Sequence, residues 1–399
     1  MTGRYQFESP ADALAALLGQ VQPVGIEVLA WSDAVGRVLA EPLIADRDSP
    51  PCDVSAMDGY AVRLNDLAAA SLRVAGAVAI GSPPPDLPAA RALRIVTGAA
   101  VPRGADAVVP REDVREMPDQ IVVRWQGVLP GQHIRRRGEN LPAGQPALCK
   151  GSVIHAPAAA AMASFGASRV SVHRKVRAGV LVTGDELLPI EATPQPWQIR
   201  DANGPALHAL LAACPRVAIE NRAHVPDNAA RLQAQLARVL DDCDLVLLTG
   251  GVSMGNRDYV PWAVQDAGAR IVFHKLPIRP GKPVLGAIGA RGQVILGLPG
   301  NPVSVLTAAC RFAGPVVQCL SGADRNADAR AVVTLQNPDG KEISMWWSRL
   351  VRLAGTGTAE LLTNCGSGDM VAAARSDGFV EVPPGQSGAG PWPFFRWEI

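Results

Sequence analysis

Three loops of this chain carry residue types that hold an oxyanion, and each follows a short apolar run. The run from Asp244 leads into Thr249-Gly250-Gly251 and on through Ser253 to Asp258 and Tyr259. The run from Arg270 leads through Lys275 into Arg279-Pro280-Gly281-Lys282-Pro283, and the run from Gln293 into Pro299-Gly300-Asn301-Pro302-Val303-Ser304. Glycine at a strand end lets backbone N–H groups approach a ligand with no Cβ in the way. The hydroxyls of Ser253 and Ser304 add neutral donors, and Lys275, Arg279 and Lys282 add cations. Arg279 and Lys282 sit three apart around a Pro-Gly turn, which sets both heads on one side; an anion clamp accounts for that better than a solvated hairpin. Two roles are open to Asp258. It can cap the helix that follows, or it can bind Mg²⁺ bridging phosphate oxygens.

Two further carboxylate groups stand outside these loops. Asp185 and Glu186 lie side by side where an apolar run ends, which suits Mg²⁺ binding or acid–base work. Asp53 and Asp58 lie five residues apart in the small-residue segment Asp53-Val54-Ser55-Ala56-Met57-Asp58-Gly59-Tyr60, and core packing explains neither.

The elements that must position these groups alternate strand and helix from Arg174 to about Leu320. That pattern predicts a doubly wound α/β sheet with loops at the strand C-termini. Within it Asn203 reads as a helix cap, helices start near Asp227 and Asp258, and a hairpin turns at Ala290–Gly292. From Asp53 to about Val128, short apolar runs broken by Gly and Pro predict a small β-rich module. Ser9-Pro10-Ala11-Asp12 reads as a capped helix start, with Leu14, Leu17, Leu18 and Val21 at helical spacing. A second short helix is expected over Asp33–Ala40 and an alanine-rich one near Pro157–Phe165. The last 75 or so residues revert to short strands, a small all-β domain. The expected division is 1–173 for an N-terminal region with the β-rich module inserted at about 53–128, 174–322 for the α/β domain, and 323–399 for a C-terminal β-barrel.

Composition excludes several classes. Across 399 residues the formal net charge is +1, so no global field favours nucleic acid or a membrane surface. Arg135-Arg136-Arg137 is the one basic cluster, either a solvated loop or an anion contact. The seven cysteines form no CxxC pair and read as free thiols of a reducing compartment, while the six histidines show no zinc spacing. No secretory pattern is evident at the N-terminus and no apolar run reaches membrane-spanning length; the expected location is cytoplasmic.

Read in order, DVSAMDGYAVR, TGAAVPRGADAVV, RRRGEN, VTGDEL, TGGVSMGNRDY, RPGKP and GLPGNPVSV resemble the MoeA-type molybdopterin molybdenumtransferases, a family similar to the C-terminal domain of gephyrin. The resemblance spans about Leu14 to Pro384. It implies insertion of molybdate into adenylylated molybdopterin with Mg²⁺-dependent release of AMP. By match to the family motifs, Asp53, Asp58, Glu186 and Asp258 are the expected catalytic residues, and Asp185, Glu186 and Asp258 the metal ligands. Substrate is expected at Thr249, Gly250, Gly251, Ser253, Lys275, Arg279, Lys282, Pro283, Pro299, Gly300, Asn301 and Ser304, with Arg349 and Ser367 closing over the molybdate anion. The resemblance also implies a homodimer with active sites shared between subunits, where Asp53 and Asp58 arrive from the second copy. Expected contacts include an upstream adenylyltransferase and recipient molybdoenzymes, with neither nucleic acid nor membrane.

The chain departs from the family pattern at three places. Asn140 stands where the family usually has Asp, Arg200-Asp201-Ala202-Asn203 replaces Tyr-Asp-Ser-Asn, and Thr97–Pro102 reads TGAAVP for TGAPVP. Asn140 and Arg200 support an alternative, a divergent pterin-binding chaperone or scaffold with weak or no insertase activity. Retention of the glycine-rich loops, Glu186 and Asp258 favours the enzyme.

Overall fold

The computed structural model describes residues 5–124, 127–252, 258–324 and 331–399. They form two compact units, one of residues 42–149 and 158–168, the other of the remainder.

The first unit is built on six strands: β1 (Gly59–Val62), β2 (Leu72–Ala77), β3 (Arg91–Ile95), β4 (Ala107–Pro110), β5 (Val114–Glu116) and β6 (Gln120–Val123). Their order in the sheet is β4-β1-β3-β2-β6-β5, antiparallel except between β2 and β3. Strand side chains alternate between faces, and here both faces are covered. Tyr60, Val62 and Val109 pack into one apolar cluster, while Ala61, Val108, Leu93 and Ile95 pack into the other. Gly59 is required by the close ladder of β1 on β4: a Cβ there would stand 2.0 Å from the Val109 carbonyl oxygen.

In the second unit a six-stranded sheet runs β8-β7-β9-β12-β11-β10, from β7 (Val176–Thr183), β8 (Val217–Val225), β9 (Leu245–Thr249), β10 (Arg270–His274), β11 (Leu285–Ile288) and β12 (Val294–Leu298). The first four in that order are parallel, and the β11–β12 hairpin introduces the antiparallel edge. Helices α1 (Pro10–Leu18), α2 (Asn203–Ala212) and the long α5 (Pro302–Leu320) cover one face through Leu14, Leu17, Leu207, Leu211, Val305 and Phe312. Helices α3 (Ala229–Asp242) and α4 (Val260–Asp266) cover the other through Leu232, Leu236, Val260 and Val264. This is the expected doubly wound arrangement, with ligand loops at the strand C-termini. Helix α5 is long and apolar enough to cross a membrane by length and composition, but 83% of its apolar window is buried in this core.

Five more strands make the C-terminal domain: β13 (Val332–Leu335), β14 (Trp346–Gly355), β15 (Thr358–Leu361), β16 (Gly378–Val382) and β17 (Trp392–Arg396). They pair β14-β15-β13-β17-β16 and back to β14, which closes a barrel and removes its edges.

Local expectations fared unevenly. Ser9 caps α1 by accepting from the Asp12 N–H, and its hydroxyl donates to the Asp12 carboxylate at 2.7 Å. The helix expected over Asp33–Ala40 is instead a run of turns ending in bridge pairings of Val38 and Leu39 with Val153 and Val172. Those partners lie over a hundred residues away, so only tertiary pairing decides the conformation. Asn203 is not the cap of α2: the Asp201 carboxylate accepts the Gly204 N–H at 2.9 Å, and Asn203 turns inward. Helix α3 begins two residues after Asp227, with Asn228 as its cap. The seven cysteines are unpaired, and Cys214, Cys243, Cys310 and Cys319 are buried. Burial pushes the Cys243 thiol up to about 11 and the Cys310 thiol up to about 12.

Asp244, at the start of β9, accepts a two-pronged bond from Arg174 at 2.7 and 2.8 Å and the Arg177 N–H at 2.8 Å. Burial raises its pKa, but these donors outweigh burial and hold it below the usual carboxylate value. A depressed folded pKa adds stability above the unfolded value of about 4, lost as pH falls through the folded value. Asp244→Ala, which leaves Arg174 with only the Lys175 carbonyl, is expected to lower stability by about 1–2 kcal/mol at pH 7 in urea unfolding, a difference that shrinks toward pH 3.

Candidate functional site

A cleft of about 1090 Å³ lies in the second unit, between the 279–283 turn, the 299–304 junction and the wall of the barrel. Arg279, Lys282, Pro283, Pro299, Gly300, Asn301, Ser304, Arg349 and Ser367 all line it. Residues from three distant stretches of sequence therefore meet in one cavity.

The chain fixes these groups through backbone ladders. Ile278 and Arg279 pair in parallel with Trp346 and Trp347 of β14, and the Trp346 N–H donates to Pro277 O at 2.8 Å. The turn closes through Leu276 N–H to Lys282 O at 3.0 Å and Val284 N–H to Gly281 O at 3.0 Å, with Gly281 at φ 106°. Only glycine takes that conformation without strain. Arg279 lies 5.9 Å from the centre of the Trp347 ring, and Lys282 5.8 Å from that of Tyr5. At the start of α5, Asn301 donates to the Ser367 hydroxyl at 2.8 Å, and the Val303 N–H donates to Ser367 O at 3.0 Å. Ser367 is thus tied to the start of α5, and a helix N-terminus favours negative charge. Ser304 is buried, at 2% exposure. Lys275 is held at φ 67° on the strand side of the turn and does not line the cleft.

A second group of predicted residues sits at the ends of β7 and β9. Thr249 is fully buried, and its carbonyl accepts from the Thr183 hydroxyl at 3.2 Å. Gly250 and Gly251 have φ of 84° and 58°, and a Cβ on Gly250 would come within 2.6 Å of Thr183 O. Gly300 lies beside this turn, its Cβ direction 3.8 Å from the Gly250 Cα. Thr249 acts as a wall of the loop, while the glycines offer backbone to a ligand. Ser253 falls outside the described residues. Asp258 does not cap α4: the cap position is Tyr259, without a side-chain capping bond, and the Val260 N–H is taken by Gly251 O at 3.1 Å. Of its two roles, capping drops out. Asp185 accepts the Asp227 N–H at 3.0 Å, and Glu186 beside it is exposed.

Among the described residues, no three His, Cys, Asp or Glu side chains gather as a metal site. Mg²⁺ needs only one or two carboxylates when substrate phosphates and water complete its shell. Glu186 and Asp258 are hard oxygen donors of that kind, so their chemistry suits the ion.

Asp53 and Asp58 belong to the other unit, where both already have structural partners. Asp53 accepts from Arg136 at 2.6 Å and from the Arg137 N–H at 2.9 Å. Burial raises its pKa, but these two donors leave it lowered. Asp58 accepts the N–H and hydroxyl of Thr97 at 2.7 and 2.8 Å, which lower its pKa and keep the exposed carboxylate charged. The three arginines are solvent-exposed and each is already paired: Arg135 with Glu139, Arg136 with Asp53, and Arg137 with Asp48. Asn140 accepts from Arg135 and donates to the Ser49 hydroxyl at 3.3 Å, so it pins the same loop.

Three cleft or near-cleft residues escaped the sequence. Asn203 is 6% exposed and donates to Gly300 O at 2.8 Å and weakly to the Thr249 hydroxyl at 3.4 Å, tying the two glycine loops together. Its position after Asp201 suggested a cap and hid this role. Trp347 and Asp339 lie in the C-terminal strands and loops, where no pattern marks them.

Two family models match the chain. The MoeA N-terminal region (domain I and II) covers residues 8–166, and a probable molybdopterin binding domain covers 179–318. The chain is 37% identical to a molybdopterin molybdenumtransferase of Synechococcus elongatus, over 85% of this chain and 87% of that protein. It is 36% identical to one from Haemophilus influenzae, over 75% and 74%. The solved MoeA protein of Pyrococcus horikoshii OT3 superposes with a TM-score of 0.81 at 26% identity, covering 98% of this chain and 99% of that one. With the strand-end glycine loops, the cleft and the closed barrel in one chain, this likeness over nearly its whole length places the protein in the MoeA family of molybdopterin molybdenumtransferases, which are transferase enzymes.

Proposed function

We propose that the protein inserts molybdenum from molybdate into adenylylated molybdopterin, releasing AMP with Mg²⁺. The observation that carries this reading is the cleft, where Arg279, Lys282 and Arg349 stand with Ser304, Ser367 and the start of α5. A tetrahedral dianion needs fixed cations and neutral donors together, and this cavity supplies both. In the proposal, the Gly250-Gly251 and Pro299–Asn301 turns hold the pterin and its phosphate, with Thr249 and Lys275 shaping the loops behind them.

Cleavage of a phosphoanhydride needs charge neutralisation and alignment more than covalent help. Bound Mg²⁺ would neutralise charge on the anhydride; Glu186 and Asp258, with Asp185 beside them, would hold it. Asp53 and Asp58 are proposed to come from a second copy of the chain, their loop held rigid by Arg136, Arg137 and Thr97. The proposal also keeps three divisions, at 1–173, 174–322 and 323–399. Free thiols and the near-neutral charge support a cytoplasmic setting, without nucleic acid or membrane. An adenylyltransferase upstream and apo-molybdoenzymes downstream are the matching partners.

The test is reconstitution. Purified protein with adenylylated molybdopterin, Mg²⁺ and molybdate should yield a pterin that activates an apo-molybdoenzyme. Tight pterin binding with no activating product would replace this reading with the pterin-binding chaperone or scaffold. With Arg200, Asn140 favours that alternative. Its amide already satisfies Arg135 and Ser49, so Asn140→Asp is expected to change turnover by less than about threefold in the same assay.

A further inference from the structure

The cleft holds a carboxylate exactly where an anion-binding arginine is strongest. Arg349 stacks 4.1 Å from the centre of the Trp347 ring, and its two terminal nitrogens donate to the two Asp339 oxygens at 2.7 and 2.6 Å. This end-on fork is the face with which a guanidinium best grips an oxyanion. Arg349 is only 15% exposed, and Asp339 and Arg349 both line the cavity. Asp339 has a second cation on its own loop, Lys341, at 3.5 Å, and its Oδ1 also accepts the Lys341 N–H at 3.3 Å. A carboxylate with a second partner at hand can give up the first without being left unpaired.

We infer that Asp339 is an intramolecular competitor for Arg349, an affinity-setting residue that an incoming tetrahedral dianion must displace. Trp347 keeps the arginine in place while the exchange occurs, because the stacked guanidinium plane does not depend on Asp339. A doubly charged oxyanion outbids a single carboxylate, whereas a monoanion such as chloride meets an already neutralised arginine. The device therefore favours dianions and keeps anion affinity moderate. This inference rests on the proposed reading of the cleft as the molybdate site.

The sign of the effect separates competition from ordinary scaffolding. If Asp339 only scaffolded the cleft, removing it would weaken anion binding. If it competes, removal strengthens binding. The experiment is calorimetric titration of the full chain with sodium molybdate, without pterin, for the unaltered protein and for Asp339→Asn, Asp339→Ala and Arg349→Ala. Both Asp339 variants are expected to bind molybdate about three- to fivefold more tightly, and to gain affinity for chloride as a competitor. Arg349→Ala is expected to bind more weakly. Equal or weaker molybdate binding in both Asp339 variants, with unchanged melting temperatures, overturns the inference. If the unaltered protein and Arg349→Ala bind molybdate alike, the assignment of the cleft fails instead, and the inference with it.

Discussion

Replacing Asp258 by alanine is expected to lower AMP release from adenylylated molybdopterin by about 10²- to 10³-fold while leaving pterin binding within a few-fold. The size follows from the role proposed for it: by holding Mg²⁺ it would help neutralise negative charge that develops as the bond breaks, and would act only weakly on the bound ground state. The cap position of α4 is Tyr259 rather than this aspartate. Circular dichroism of Asp258→Ala checks that the variant keeps its fold. Single-turnover AMP release beside equilibrium pterin binding separates the two effects. Full activity in Asp258→Ala removes the residue from the catalytic set.

The second large effect is on folding. Gly59→Ala puts a Cβ 2.0 Å from Val109 O and 2.9 Å from the Pro110 Cα, both backbone atoms of the adjoining strand. Backbone cannot rotate away as a side chain can, so β1 and β4 must separate. The ladder they form carries Tyr60, Ala61 and Val62 into the two apolar clusters of the module. A cost on the order of 4 kcal/mol or more is expected, enough to melt the module or to leave it partly folded. Urea unfolding followed by hydrogen exchange in residues 59–123 checks this. A midpoint within error of the unaltered protein contradicts it.

The parts legible in sequence were those with a local cause. Short apolar runs such as Gly59–Val62 and Ala107–Pro110 announce strands, and apolar runs ending in glycine announce the C-terminal edge of the parallel sheet. Ser9 and Pro10 announce a helix start because capping is a matter of three or four residues. Where the cause is remote, the sequence misleads. Val38 and Leu39 look helical beside Ala34 and Val35, yet their partners are Val153 and Val172, and pairing at that distance leaves no trace in a short window. Asn203 shows the same limit on the scale of one side chain. Its spacing suits a cap, but the Asp201 carboxylate accepts the Gly204 N–H and the Asn203 amide holds Gly300 instead.

The cleft divides in the same way. Arg279 and Lys282 could be paired from the Pro-Gly turn between them, because two prolines and a glycine constrain the backbone there. Trp347 and Arg349 lie two apart on β14, on one face of the strand, and the irregular loop before it returns Asp339 to the arginine. The family motifs pointed to Arg349 and Ser367, while Asp339 had no signal at all. The charge balance of the cleft, four cations against two carboxylates along its lining, became visible only in three dimensions.

The central claim is that this chain couples loss of AMP to capture of an oxyanion in the cleft of Arg279, Lys282 and Arg349. The most direct measurement is the rate of AMP release from adenylylated molybdopterin, with Mg²⁺ constant, as molybdate is titrated. A rate that rises with molybdate and saturates, with the half-saturation point shifted upward in Lys282→Ala, is the predicted result. AMP released at one rate whether molybdate is absent or saturating, in both proteins, would contradict the account.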